Sequence, residues 1–146
     1  DRTTVRGHGD ALSVRVPDAV PARILHGRDE IAARVAELGA RITADYAGRS
    51  LLVVPVLKGS FVFAADLVRA IDLPLAHVVD LLEQLAARGA RTVRLCALLH
   101  KPARAVKPVD IAYLGFTIPD VFVVGYGLDA AQLYRNLPDL RVLDAG

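Results

Sequence analysis

A continuous apolar run from Leu51 to Leu57, ending on Lys58-Gly59-Ser60 and giving way to Phe61–Ile71, constrains this chain more than any other stretch. A run without alternation suits a parallel strand buried on both faces, although Pro55 has no N–H to donate and argues against a fully paired central position. The stretch after the glycine places Phe61, Ala64, Ala65 and Val68 near one face of a helix, so the order is strand, short loop, helix, half of a βαβ unit. Upstream, Ile31, Val35, Leu38 and Ile42 recur at helical spacing and predict an amphipathic helix from about Arg28 to Tyr46, with Gly48 beyond its end. Downstream, a helix is expected from about Ala76 to Ala87, carrying Val79, Leu82 and Leu85 and stopping at Gly89, a natural helix-terminating residue. Strands follow at Thr92 to Leu99, Ile111 to Leu114, Val121 to Val124 and Arg141 to Leu143, with a turn at Pro119-Asp120. This alternation predicts an α/β fold, a mainly parallel sheet flanked by helices, with ligands gathering at the carboxyl ends of the strands.

A chain of 146 residues, 53% of them hydrophobic, buries roughly two thirds of its unfolded surface as one domain. Residues 1–22 mix charges, glycines and prolines around one alternating stretch, Ala11 to Val16, and read as an extension with an edge strand. A formal charge of +2 leaves no basic stripe, which argues against nucleic-acid binding. The one cysteine, Cys96, lies in an apolar run and reads as a buried thiol, so no disulfide framework exists and a reducing cytoplasm fits. No apolar window is long enough for a membrane span, and the opening residues are too polar for a signal peptide.

Two strand ends carry chemistry. Lys58-Gly59-Ser60 joins a strand to a helix start, where backbone N–H groups, the helix dipole and a lysine converge on an anion; an ordinary turn with a solvated lysine has the same signature. Lys101 ends an apolar strand before Pro102 and aims a donor at the same end of the sheet, or sits on the surface. The stretch from Val121 to Asp129 offers a strand-end aromatic, Phe122, to stack a planar ligand, then two glycines and the Asp129 carboxylate to approach a divalent cation; a plain strand and turn also fits. Arg135 supplies a bidentate phosphate donor or a helix-surface cation. His8, His26, His77 and His100 share no metal-ligand spacing, so zinc is not expected.

The strings ARVAELGARITADYAG and VLKGSFVFAADLVRAIDLPL, within Ile31 to Leu75, resemble the amino half of bacterial hypoxanthine-guanine phosphoribosyltransferases. LLEQLAARGARTVRLCALLHKP, YLGFTIPDVFVVGYGLD and YRNLP, within Ala76 to Asp144, resemble the carboxyl half. The resemblance covers about four fifths of the chain and implies a type I phosphoribosyltransferase-like domain over residues 23–146, with a small hood formed by the terminal segments. It implies purine salvage: inosine and guanosine monophosphates made from hypoxanthine or guanine and phosphoribosyl pyrophosphate, with a purine ring nitrogen displacing pyrophosphate at the ribose anomeric carbon. Position by position, Lys58, Gly59 and Arg135 match pyrophosphate-binding residues. Lys101 matches the donor to the purine 6-oxo group, Phe122 the stacking aromatic, and the Val123 backbone a contact to the base edge. Asp129 matches the acid that approaches Mg2+, often through water. Homodimers or homotetramers are the family's usual assemblies.

The resemblance breaks between Leu75 and Ala76, where the family has about fifty more residues, including a strand, a mobile loop and the acidic phosphoribosyl pyrophosphate motif. Val78-Val79-Asp80 is the nearest candidate, but it lacks the paired acid and glycine loop and falls in a helical pattern, so the catalytic acid is unassigned. The sequence begins at Asp1 and contains no methionine, which favours a fragmentary reading frame; a core strand is seldom disordered, which favours real loss. The alternative function is therefore a catalytically inactive purine-binding or regulatory homologue.

Overall fold

The computed structural model describes residues 19–56, 58–75, 77–78 and 89–143. Its elements run β1 (Ile24–His26), α1 (Arg28–Asp45), β2 (Leu52–Val53), α2 (Phe61–Ala70), β3 (His77–Val78), β4 (Leu95–His100), a 3-10 turn (Pro102–Arg104), β5 (Ile111–Thr117), β6 (Val123–Val124) and β7 (Leu140–Val142). No helix among the described residues is long and apolar enough to cross a membrane. The edge strand expected at Ala11 to Val16 and the stretch from Val79 to Arg88 lie outside the described residues.

Helix α1 forms where its stripe predicts. Ile31, Val35, Leu38 and Ile42 are all buried, and Asp29 and Glu30 occupy the first turn, where negative charge meets the positive end of the helix dipole. The stripe packs into one cluster with Phe63 and Leu67 of α2, Leu98 of β4, Tyr113 and Phe116 of β5, and Leu140 of β7. Gly39 is required where the two helices meet, because a Cβ there would lie 2.6 Å from the Ala70 Cβ and closer still to the Ala70 carbonyl oxygen. One turn on, the Thr43 hydroxyl donates to the Gly39 carbonyl (2.8 Å) and accepts the Asp72 N–H (3.0 Å), fixing the segment that leaves α2.

Strands β2 and β3 pair in parallel, as do β4 and β5, while β1, β7 and β6 form an antiparallel sheet in the order β1-β7-β6. This last sheet joins the first strand to the two at the carboxyl end, which is the hood. Arg141 reinforces it, donating to the Pro21 carbonyl at 2.9 Å and pairing with buried Asp139 at 2.7 Å.

The sequence reading needs four corrections. The apolar run at Leu51 is paired only over Leu52–Val53, because the chain leaves the sheet before Pro55, which cannot donate to a ladder. The helix expected from Ala76 is not helical at its start: His77–Val78 is strand, in register with Leu52–Val53. Parallel pairing there outweighs the short helical pattern, and it also removes Val78 from the helix to which the Val78-Val79-Asp80 candidate was assigned. The strand expected at Thr92 starts later, at Leu95, and runs through His100. Finally, α2 buries Phe63 and Leu67, whereas Phe61 is half exposed. The buried stripe follows Phe63 and Leu67, and partly exposed Asp66 beside it has a hydrogen-bonding partner.

We expect Gly39→Ala to destabilise the fold by about 1–3 kcal/mol, the range for overpacking a well-filled interior, despite the roughly 1 kcal/mol by which alanine is the better helix former. The obstacle is backbone, which cannot swing aside; urea unfolding midpoints read the loss. Cys96 should be inert. Burial pushes its thiol up to about 11, with nearby Arg41 opposing weakly, so at pH 8 only about one thiol in a thousand is the reactive thiolate. A thiol reagent should label the native protein far more slowly than the urea-unfolded chain.

Candidate functional site

The loop after β2 is a turn in which the Phe61 N–H bonds the Lys58 carbonyl at 3.3 Å. Ser60 stands at the N-cap of α2, yet its hydroxyl donates to the Val56 carbonyl and leaves the helix start without a side-chain cap. Lys58 is exposed. Gly59 faces the turn after β6: a Cβ on Gly59 would lie 2.9 Å from Leu128 Cδ2, and one on Gly127 would lie 2.5 Å from the Gly59 carbonyl oxygen. At Gly127 the obstacle is backbone and leaves no room for a side chain, whereas at Gly59 it is the end of the Leu128 side chain. Gly127 also holds a φ of +94°, which glycine adopts without strain.

Arg135 closes this turn from the other side. Its guanidinium donates to the Gly127 carbonyl at 2.8 Å and pairs with Asp129 Oδ1 at 2.9 Å, and its own carbonyl accepts the Gly127 N–H at 2.9 Å. The second oxygen of Asp129 accepts the Gln132 N–H at 2.8 Å. Arg135 is therefore a half-buried member of a loop, not the helix-surface cation that was the other option in the sequence. Ala131, Gln132 and Tyr134 hold positive φ values of 50°, 67° and 74°, a conformation uncommon for residues with a Cβ. The bonds to Asp129 and Arg135 bracket that loop.

The second group sits where β4 ends. The Lys101 ammonium donates to the Val121 carbonyl at 2.6 Å and lies 3.8 Å from Asp120. Asp120 is held below the usual carboxylate range chiefly by its hydrogen bond from Arg104. Phe122, next in sequence, is 56% exposed and offers an open aromatic face. Its carbonyl accepts the Leu143 N–H at 2.9 Å, and since antiparallel partners alternate between bonded and non-bonded pairs, the next pair, Val123 with Val142, is a non-bonded one. The Val142 N–H accordingly turns to the Arg23 carbonyl, at 2.9 Å. The N–H and carbonyl of Val123 thus point away from β7, and β6 is the edge strand of its sheet.

All seven residues singled out in the sequence fall into these two groups, and the nine-residue segment from Val121 to Asp129 joins them. Sequence reasoning missed Tyr126, whose buried hydroxyl donates to Asp66 on α2, and Asp120 beside Lys101. The available signal for the first was a single acid in the otherwise apolar start of α2.

Magnesium suits the donor set in one way only. No cluster of three or more candidate ligands exists among the described residues, and both oxygens of Asp129 have protein partners. A cation that keeps its waters and takes most of its remaining ligands from phosphate is compatible with a single nearby carboxylate.

No family model matches the chain. It is 34% identical to the hypoxanthine-guanine phosphoribosyltransferase of Mycobacterium avium, over 91% of this chain and 95% of that protein. That alignment runs over 192 residues, more than the chain contains, so the relative carries residues with no counterpart here. Among solved structures, a hypoxanthine phosphoribosyltransferase from Staphylococcus aureus superposes with a TM-score of 0.76 at 31% identity, covering 85% of this chain and 92% of that one. The Trypanosoma cruzi hypoxanthine phosphoribosyltransferase in complex with the product IMP gives 0.75 at 27% identity, covering 88% and 93%. A sequence match nearly spanning a relative, on a backbone that superposes on two such enzymes, means that this chain belongs to the hypoxanthine-guanine phosphoribosyltransferase family.

Proposed function

We propose that the protein is a purine salvage transferase, joining hypoxanthine or guanine to the ribose of phosphoribosyl pyrophosphate and releasing pyrophosphate. Family membership supports the reaction. The observation that carries its assignment to these residues is the segment from Val121 to Asp129, which connects an aromatic and a lysine to a loop with paired glycines, an acid and an arginine.

In this reading the base lies on Phe122, its edge against the free backbone groups of Val123, and its 6-oxo group takes the Lys101 ammonium from the Val121 carbonyl. The pyrophosphate meets Lys58, the Gly59 backbone and Arg135. Magnesium, when bound, neutralises charge on the leaving pyrophosphate, with Asp129 as the nearest protein carboxylate. The work of these residues is positioning and charge complementarity for a transition state resembling an oxocarbenium ion. A ribose-phosphate cradle is not among the described residues, and no acid is assigned to it. The reading carries with it a cytoplasmic location and assembly as a homodimer or homotetramer, as in the family that the sequence resembles.

The decisive experiment incubates the purified chain with hypoxanthine, magnesium and phosphoribosyl pyrophosphate and measures nucleotide and pyrophosphate formed. Turnover supports the transferase; base binding without turnover would reduce the protein to a purine-binding homologue. Lys101→Ala should weaken hypoxanthine binding by about 1.5–3 kcal/mol, the value of a hydrogen bond to a charged group, and the wild-type chain should reject adenine, whose amino group offers that lysine no acceptor. Equal affinity for adenine and hypoxanthine would contradict the pocket. Arg135→Ala should weaken magnesium pyrophosphate, read by calorimetry, by at least tenfold. It removes both a phosphate donor and the bond that holds the Gly127 carbonyl.

A further inference from the structure

Tyr126 lies between Gly125 and Gly127 at the centre of the segment that joins the two ligand groups. It is 8% exposed and holds a φ of +49°, which a bulky side chain adopts only when its surroundings impose it. Three contacts impose it. The Tyr126 N–H donates to the Leu137 carbonyl at 2.9 Å. Gly125 and Gly127 press against the Asp139 and Gly59 carbonyls respectively, so neither neighbour tolerates a Cβ. The phenol hydroxyl donates to Asp66 Oδ2, while Asp66 Oδ1 pairs with Arg69. Burial, followed by the Asp66 hydrogen bond, pushes the phenol well above its ordinary range, so the hydroxyl remains a donor throughout the neutral range.

Asp66 sits in the second turn of α2, and α2 starts directly after Lys58-Gly59-Ser60. The phenol–carboxylate bond therefore ties the helix that opens from the anion loop to the turn that leads into Asp129. Backbone contact between Gly59 and Gly127 sets how closely the two can approach; the side-chain bond sets whether they stay there.

We propose that Tyr126 and Asp66 are positioning residues that hold the Lys58-Gly59 loop in register with Asp129 and Arg135, and so govern affinity for magnesium pyrophosphate without governing the base. The proposal deepens the transferase reading and rests on it for its ligand. Tyr126→Phe deletes one oxygen and keeps the ring. Its affinity for magnesium pyrophosphate should fall about tenfold, as should the apparent affinity for phosphoribosyl pyrophosphate in turnover, with hypoxanthine affinity unchanged within twofold. Asp66→Ala should match it, and Asp66→Asn, whose amide oxygen still accepts from the phenol, should recover most of the loss. The double variant Tyr126→Phe with Asp66→Ala should be no weaker than either single one, as expected of two groups acting through one bond.

Hydrogen exchange at the Gly127 N–H, bonded to the Arg135 carbonyl, reads the same device without any ligand. Protection should drop in Tyr126→Phe and return toward wild type when Asp66→Asn is compared with Asp66→Ala. If the wild-type chain binds no pyrophosphate but Gly127 loses protection as described, the transferase reading fails and the positioning pair stands. Unchanged protection in Tyr126→Phe, or equal losses for pyrophosphate and hypoxanthine, would overturn the pair itself.

Discussion

Gly59 and Gly127 meet backbone to backbone, and the rest of the candidate site is arranged around that approach. A methyl group on Gly127 would come within 2.5 Å of the Gly59 carbonyl, a separation that carbon and oxygen do not tolerate. The contact brings a loop at residue 59 beside a turn at residue 127, so residues nearly seventy positions apart share one surface. Side chains alone would do this poorly, because a lysine and an arginine that grip the same anion repel each other until it arrives. Rigid backbone contact holds the geometry in its absence, as a preorganised site requires.

The scaffold beneath is built for the same end. Helix α1 lays an uninterrupted stripe against α2 and β5, and the absence of a Cβ at Gly39 lets α2 come close enough for Thr43 to fix its exit. Fixing that end of α2 constrains where its start, which follows the Lys58 loop, can lie. The hood acts on the other partner. β7 is paired on both sides, by β1 and by β6, so β6 and the turn that follows are held from the carboxyl end of the chain.

Much of this was legible in the sequence where one periodicity dominated. The α1 stripe, the Gly59 loop ahead of α2 and the placement of Phe122 before a glycine turn follow from local pattern. What was not legible depends on partners distant in sequence. The run at Leu51 looks like a long strand because hydrophobicity alone does not count ladder donors, and pairing stops before Pro55. His77-Val78 sits beside a helical pattern, but strand pairing with Leu52–Val53 decides its state. The buried face of α2 falls on Phe63 and Leu67, not on the Phe61, Ala64, Ala65 and Val68 face that the apolar spacing suggested, because an almost wholly apolar helix has no polar stripe to set its orientation. Asp66 on that helix is partly exposed and accepts from the Tyr126 hydroxyl, a partner sixty residues later. The family's additional residues near Leu75 were legible only through resemblance. In the structure β2, α2 and β3 form a parallel βαβ unit across that junction, with β3 starting at His77.

The hydrogen bond from Lys101 to the Val121 carbonyl gives the proposed base preference a physical basis. The Lys101 ammonium is partly buried, and a ligand that removes its carbonyl partner should supply another acceptor. In the proposed pose a 6-oxopurine does so, its carbonyl replacing that of Val121 one for one. In that pose, stacking on Phe122 and contacts along the Val123 edge supply the rest of the affinity. In the proposed pose adenine presents an amino group at the same place, so Lys101 gains no acceptor from the base and stays with Val121 and nearby Asp120. The discrimination therefore arises from the acceptor that one base brings and the other lacks. It draws on a lysine that already bonds the segment before β6.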